Sequence, residues 1–177
     1  LFSPDSNQFA FVSLRSGNQQ VFIYENGIER LLFENSDNEE FFGMAWSPDG
    51  SKLAMTLSKD GNPDIYVYDL ATAALSKRTN HYAIDTEPAW SPDGSTLVFT
   101  SDRGGKQQIY RMAAGGGEPR RLTFEGQSNA RGSFSPDGKS LVLETQTDNG
   151  YGIGVLDLAS GALRVLTRGG YDESPSF

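Results

Sequence analysis

Short runs alternating apolar and polar residues recur along the chain, and no segment carries apolar positions at helical spacing over a convincing length. Residues 83–126 show the unit. Glu87-Pro88-Ala89-Trp90 is a short extended run, and Ser91-Pro92-Asp93-Gly94 turns the chain into Thr96-Leu97-Val98-Phe99-Thr100, where branched and aromatic residues alternate with small or polar ones. Asp102-Arg103-Gly104-Gly105 turns it again into Gln108-Ile109-Tyr110-Arg111-Met112. A last turn at Ala114-Gly115-Gly116-Gly117 leads to the more polar Pro119-Arg120-Arg121-Leu122-Thr123. The pattern predicts four antiparallel strands. Pro92 pre-sets φ for the first turn, Asp93 can bond local backbone, and Gly94 supplies the positive φ of a bulged hairpin exit. Pro88 lacks a ladder donor and suits an innermost edge strand.

The same phrase returns at fixed intervals. Ser-Pro-Asp begins at Ser3, Ser47, Ser91 and Ser135, 44 residues apart, each time preceded by an aromatic residue: Phe2, Trp46, Trp90 and Phe134. The second strands Phe9-Ala10-Phe11-Val12, Leu53-Ala54-Met55-Thr56 and Leu141-Val142-Leu143-Glu144 fall in phase, as do Val21-Phe22-Ile23-Tyr24, Ile65-Tyr66-Val67-Tyr68 and Ile153-Gly154-Val155-Leu156. Four short strands repeated at a period of about 40–50 residues describe a β-propeller. The fold class is therefore all-β, in four-stranded antiparallel blades, with repeats at about 1–42, 43–86, 87–130 and 131–173; residues 174–177 begin the next inner strand. One blade cannot bury both of its faces, so Trp46 and Trp90 are expected between neighbours. Ser6 stands where the other copies have Gly50, Gly94 and Gly138, and the first blade is expected to be the loosest.

The first copy lacks an innermost strand, whereas Asp172-Glu173-Ser174-Pro175-Ser176-Phe177 matches Asp85-Thr86-Glu87-Pro88-Ala89-Trp90. Two readings follow. The chain is four blades of a larger open ring, which we favour, or the C-terminal strand completes the first blade within one chain or between two. The chain opens at Leu1-Phe2-Ser3 already inside its repeat, so it reads as a piece of a longer protein and its start is silent on secretion.

Composition narrows the function. A net charge of −8 argues against a phosphate-binding surface and makes nucleic acid a poor partner. With no cysteine there are no disulfides, thiolate zinc sites or thiol nucleophiles. No apolar run reaches the roughly 18 residues of a membrane span. Candidate binding residues lie in the connections from each outer strand to the next inner strand, at 34–43, 80–87, 124–132 and 168–174, expected as loops over one face toward the axis. They are polar and acidic: Glu39-Glu40, Asp85-Thr86-Glu87 and Asp172-Glu173, with Asn129-Ala130-Arg131 breaking the sign. Converging carboxylates invite a cation, and calcium in the axial channel is the candidate, although no EF-hand spacing is present; no other cofactor is expected.

Catalysis finds little support. His81 is the lone histidine and no Gly-x-Ser-x-Gly elbow exists. A glycosidase would need two axial carboxylates, for which Glu87 with Asp172 or Glu173 is conceivable.

Phe/Trp-Ser-Pro-Asp-Gly, an apolar strand, Asp/Lys-x-Gly, Ile-Tyr and Leu-Thr form the repeat of TolB-type propellers, which the chain resembles over all 177 residues. Thr86-Glu87-Pro88-Ala89-Trp90, Gln108-Ile109-Tyr110 and Arg120-Arg121-Leu122-Thr123-Phe124-Glu125-Gly126 carry the likeness most closely. The resemblance implies a six-bladed ring, of which this is about four blades, in a non-catalytic periplasmic protein of the Tol–Pal system. That system serves outer-membrane integrity and cell division. It implies that the peptidoglycan-associated lipoprotein, and colicin translocation segments, bind the axial face, while TolA contacts an N-terminal segment outside this chain. Thr86 and Glu87 match the family's contact motif directly. Glu40 and Gly43 occupy the corresponding earlier positions, and His81, Asp85, Asn129, Arg131, Asp172 and Glu173 complete the expected binding set. Ser-Pro-Asp-Gly repeats also occur in peptidase propellers, so the gate of a serine peptidase stands as the alternative, with a carbohydrate-active propeller behind it.

Overall fold

A computed structural model of the chain describes residues 1–35, 40–59, 61–148, 150–168 and 170–177. The first blade holds β1 (Gln8–Ser13), β2 (Gln20–Glu25) and β3 (Ile28–Glu34). The second holds β4 (Phe41–Trp46), β5 (Lys52–Leu57), β6 (Asp64–Asp69) and β7 (Ala74–Lys77). β8 (Asp85–Trp90), β9 (Thr96–Ser101), β10 (Gln108–Ala113) and β11 (Arg120–Arg121) form the third. β12 (Ser128–Phe134), β13 (Ser140–Thr147), β14 (Gly150–Asp157) and β15 (Leu163–Val165) form the fourth. Sequential strands pair antiparallel within each blade, the architecture of a β-propeller. The first sheet has three strands; a single bridge from Phe2 to Phe9 stands where an inner strand would pair.

The core lies between blades rather than within them. Ala10 and Ile23 of the first blade pack with Trp46, Leu53 and Met55 of the second. Ala54, Ile65 and Val67 of the second meet Leu97, Phe99 and Tyr110 of the third. Val98 and Ile109 of the third meet Leu141, Leu143 and Leu156 of the fourth. Successive strand residues point to opposite faces, so Leu53 and Met55 serve one interface while Ala54 serves the next. That is why three successive residues of the second strand in each full blade, Leu53-Ala54-Met55, Leu97-Val98-Phe99 and Leu141-Val142-Leu143, are apolar.

Two polar devices hold the frame. Trp46 Nε1 donates to the Leu1 carbonyl and Trp90 Nε1 to the Ala45 carbonyl, each 3.1 Å, tying every tryptophan to the preceding blade's inner edge. The Ser-Pro-Asp turns nest around the ring. Gly50, Gly94 and Gly138 all have φ near 70°, where a side chain is strained, and an added Cβ would meet the proline of the preceding turn, at 3.7 Å from Pro48 Cδ for Gly94 and 3.5 Å from Pro92 Cδ for Gly138. Ser6 holds the same backbone at φ 59°, as expected. Inside each turn the aspartate accepts from the serine hydroxyl, 2.6 Å at Ser47–Asp49, and from the amide two residues on, 3.0 Å at Ser51.

The outer strands of the second, third and fourth blades are shorter than the pattern predicts. β11 ends at Arg121, because the Thr123 hydroxyl takes over: it accepts from the Ile109 amide at 3.0 Å and donates to Gln108 Oε1 at 2.7 Å. Thr79 does the same with Ile65 and Asp64.

Trp90→Ala removes an inter-blade side chain and its hydrogen bond, and is expected to cost about 3–5 kcal/mol in chemical denaturation. The serine and amide bonds hold Asp49 and Asp93 at about 2, below the ordinary 3.8. A depressed native value stabilises the fold above the unfolded value and loses that stability as pH falls through the native one. Unfolding free energy is therefore expected to decline from about pH 4 to about pH 2, and Asp93→Asn to flatten part of that decline.

Candidate functional site

The inner strands β4, β8 and β12 lie side by side, with β8 against both neighbours. Each carries a register shift: between Phe42 and Met44, between Thr86 and Ala89, and between Ala130 and Ser133. The residue at the shift has positive φ: Gly43 at 66°, Glu87 at 56° and Arg131 at 54°, followed by Ser174 at 56°. Such a bulge leaves its extra residue unpaired and re-aims its side chain. In three of these four positions a side chain is held in backbone that costs about 1–2 kcal/mol outside glycine.

The bulge therefore corrects the expected placement. Gly43, Asp85, Thr86, Glu87, Asn129 and Arg131 belong to inner strands, not to loops, because pairing resumes on the far side of the bulge. Bulge residues project, whereas their strand neighbours turn inward.

The projecting residues meet. Arg131 Nε donates to Glu87 Oε1 at 2.8 Å and Arg131 Nη1 to Glu144 Oε1 at 2.9 Å, with Glu173 Oε2 at 3.5 Å and the Ser174 hydroxyl at 3.3 Å. The Thr100 hydroxyl donates to Glu87 Oε2 at 2.9 Å and accepts from the Arg131 amide at 3.0 Å. Glu144 Oε1 accepts from the Ser174 amide at 2.6 Å. One guanidinium thus binds three carboxylates across neighbouring blades, and the bonds to Glu87 and then Glu144 raise its pKa further above its ordinary value. The Arg131 side chain is 41% exposed and that of Glu144 only 10%, so the network reaches from the surface to the inter-blade seam.

The remaining expected residues divide. Asp85 is fully buried and grips Arg103 through both carboxylate oxygens, at 2.9 and 2.7 Å, while that guanidinium lies over Phe99 and Tyr110. Asn129, one repeat later, is also buried and donates to Gln108 Oε1 and the Glu125 carbonyl. Both are framework residues, out of a partner's reach, which corrects their expected role. Thr86 is half-buried on β8. Half-buried His81 folds onto its own loop, Nδ1 accepting from the Ala83 amide at 3.0 Å and its ring 4.1 Å from that of Tyr82. Glu40 and Asp172 are exposed. Glu39 lies outside the described residues. Among the described residues no group of three or more His, Asp or Glu side chains is arranged to hold a metal ion; the carboxylates that do converge are drawn in by Arg131.

Some residues escaped the sequence reading. Glu144 stands in phase with Thr56 and Thr100, and a charge in the otherwise apolar Leu141-Val142-Leu143 strand was its signal. Tyr82, Phe124 and Tyr171, on the outer-to-inner connections, are 85%, 73% and 86% exposed. Large exposed rings are what protein interfaces use.

Asp85 and Glu87 sit two residues apart with opposite expected behaviour. Asp85→Ala strands a buried guanidinium and is expected to cost about 3–5 kcal/mol in chemical denaturation of the full-length protein. Glu87→Gly removes an exposed ion pair worth about 0–1 kcal/mol while relieving positive-φ strain, so its unfolding free energy should stay near that of the parent.

Comparison with known proteins follows the same lines. The family model described as "TolB beta propeller domain" matches residues 1–177. TolB from Acinetobacter baumannii superposes with a TM-score of 0.88 at 38% identity, over 99% of this chain and 44% of that one. The structure of putative TolB from Agrobacterium tumefaciens superposes at 0.82 with 22% identity, over 96% of this chain and 66% of that one. The chain spans less than half the length of the first of these and about two thirds of the second. A puromycin-hydrolyzing peptidase from Mycobacterium tuberculosis shares the fold at a TM-score of 0.76 and 16% identity, over 99% of this chain and 29% of that one. No relative was found among the curated proteins.

Proposed function

The chain belongs to the TolB beta-propeller domain family, and on that premise we propose that it is a non-catalytic, protein-binding propeller of the periplasm. The bulged end of its inner strands receives a segment of the peptidoglycan-associated lipoprotein, and colicin translocation segments use the same face. The observation that carries this reading is the set of strained bulge residues. Glu87, Arg131 and Ser174 keep positive φ without being glycine, and they point their side chains to one axial face. Strain of this kind clusters at binding and switching sites. A frame that needed only the bulge would be better served by glycine, as at Gly43.

The rim supports the reading. Tyr82, Phe124 and Tyr171, on the connections that lead into the inner strands, carry exposed rings that bring large contact area at little entropic cost. The chemistry for turnover is thin by comparison: the lone histidine spends Nδ1 on its own loop, and of the candidate glycosidase carboxylates Glu87, Asp172 and Glu173, Glu87 and Glu173 share Arg131. Among the described residues no helix is long and apolar enough to cross a membrane.

The test is affinity capture with the full-length protein. The parent should retain the lipoprotein, and Glu87→Gly should weaken it about tenfold, or roughly 1.4 kcal/mol, with its melting temperature kept. A full-length protein that fails to retain the lipoprotein overturns the reading, and hydrolysis of peptide or glycan substrates by that protein would point to the peptidase or carbohydrate classes instead.

A further inference from the structure

The bulge ring is complete in two blades and interrupted in one. In the third and fourth blades the bulge side chain is met by a residue of its own blade's second strand: Thr100 donates to Glu87, and Glu144 accepts from Arg131. The same second-strand residue also receives the amide of the next blade's bulge, Thr100 from Arg131 and Glu144 from Ser174. In the second blade the counterpart is Thr56, which is fully buried, and among the described residues its hydroxyl has no hydrogen-bond partner. The bulge residue beside it is Gly43, and a Cβ built there meets nothing within 4 Å. A buried hydroxyl without a partner is costly to leave unmet, so this gap is a place where a ligand group gains more than an exposed contact would.

The neighbours set the charge of that group. Glu87, the next bulge residue, binds Thr100 and Arg131 on the following side, and among the described contacts no cation meets it from the second blade. Arg131 demonstrates the geometry, since a guanidinium on one bulge reaches the carboxylate of the adjacent bulge at 2.8 Å. One carboxylate and one hydroxyl are too few oxygens for calcium, which takes six to eight, but they suit a hydrogen-bonding monocation. An overall charge of −8 favours the same sign.

We propose that the gap above Gly43 receives a basic side chain, a lysine ammonium or arginine guanidinium, from the segment bound on this face. The group pairs with Glu87 and donates to the Thr56 hydroxyl, continuing the alternation of charge that Glu87 and Arg131 begin. Phe42 stands directly opposite Thr56 in the strand pairing and shares its face, so this half-exposed ring shifts to admit the group. The inference rests on the axial face being the partner-binding face.

The experiment uses the isotope-labelled full-length protein with N-acetyl-arginine amide as the probe and N-acetyl-citrulline amide as its uncharged counterpart. The arginine probe is expected to shift the amide resonances of Gly43, Thr56 and Glu87 saturably, and the citrulline probe to leave them in place. Gly43→Arg, at a position whose counterparts already hold side chains at the same φ, fills the gap from within. It should abolish those shifts and weaken retention of the lipoprotein about tenfold with the melting temperature kept. Equal shifts from both probes, shifts elsewhere only, or the same shifts with calcium chloride in place of the probe overturn the proposal. If the parent protein fails to retain the lipoprotein, the reading of the face falls, while the probe titration still decides the gap. If the lipoprotein is retained equally by the parent and by Gly43→Arg, the gap proposal falls and the reading of the face stands.

Discussion

A single blade of this propeller has two apolar faces and can cover neither by itself. Everything else follows from that constraint. Ala54 and Val98 point one way along their strands while Leu53, Met55, Leu97 and Phe99 point the other, so each strand contributes to two cores at once. The tryptophans lock the seams, because an indole placed between blades buries a large ring and spends its N–H on the neighbour's backbone. The turns repeat the logic at one end of the ring, each glycine supplying the positive φ that lets its turn lie against the proline of the preceding one.

The rigidity of that frame gives meaning to the other end. Bulges in β4, β8 and β12 halt the pairing for one or two residues and re-aim the side chain at the shift. Because the blades are held by their seams, neighbouring bulge side chains come within hydrogen-bond reach of each other, and Arg131 can bind carboxylates contributed by more than one blade. A network of this kind sits partly in solvent, where ion pairs are weak individually. Its value lies in position, and a segment that contacts it meets groups already oriented.

Burial separates residues that composition treats alike. Asp85 and Glu87 are both acidic and two apart, yet one is buried in a pair with Arg103, whose guanidinium lies over aromatic rings, and the other reaches the surface. Asn129 and Arg131 repeat the division one blade later. Strand alternation decides the inward member, and the bulge decides the outward one.

The period of 44 residues, the turn chemistry and the alternation of apolar residues were sufficient to read the blades, their strand order and the inter-blade place of the tryptophans, because each is a local rule repeated in register. The polar, acidic character of the stretches leading into the inner strands was visible for the same reason, although Asp85 and Glu87 lie within β8 itself. Their individual roles were not. Nothing in Asn129-Ala130-Arg131 announces a bulge, since glycine marks that position only at Gly43 and the other copies adopt positive φ without it. Nor could the apolar strand around Glu144 reveal that its carboxylate meets Arg131 from the adjacent strand, because that contact depends on where the bulge aims the arginine. Repetition determined the scaffold, while contacts between strands and between blades decided which of its polar residues are buried in the frame and which reach the surface.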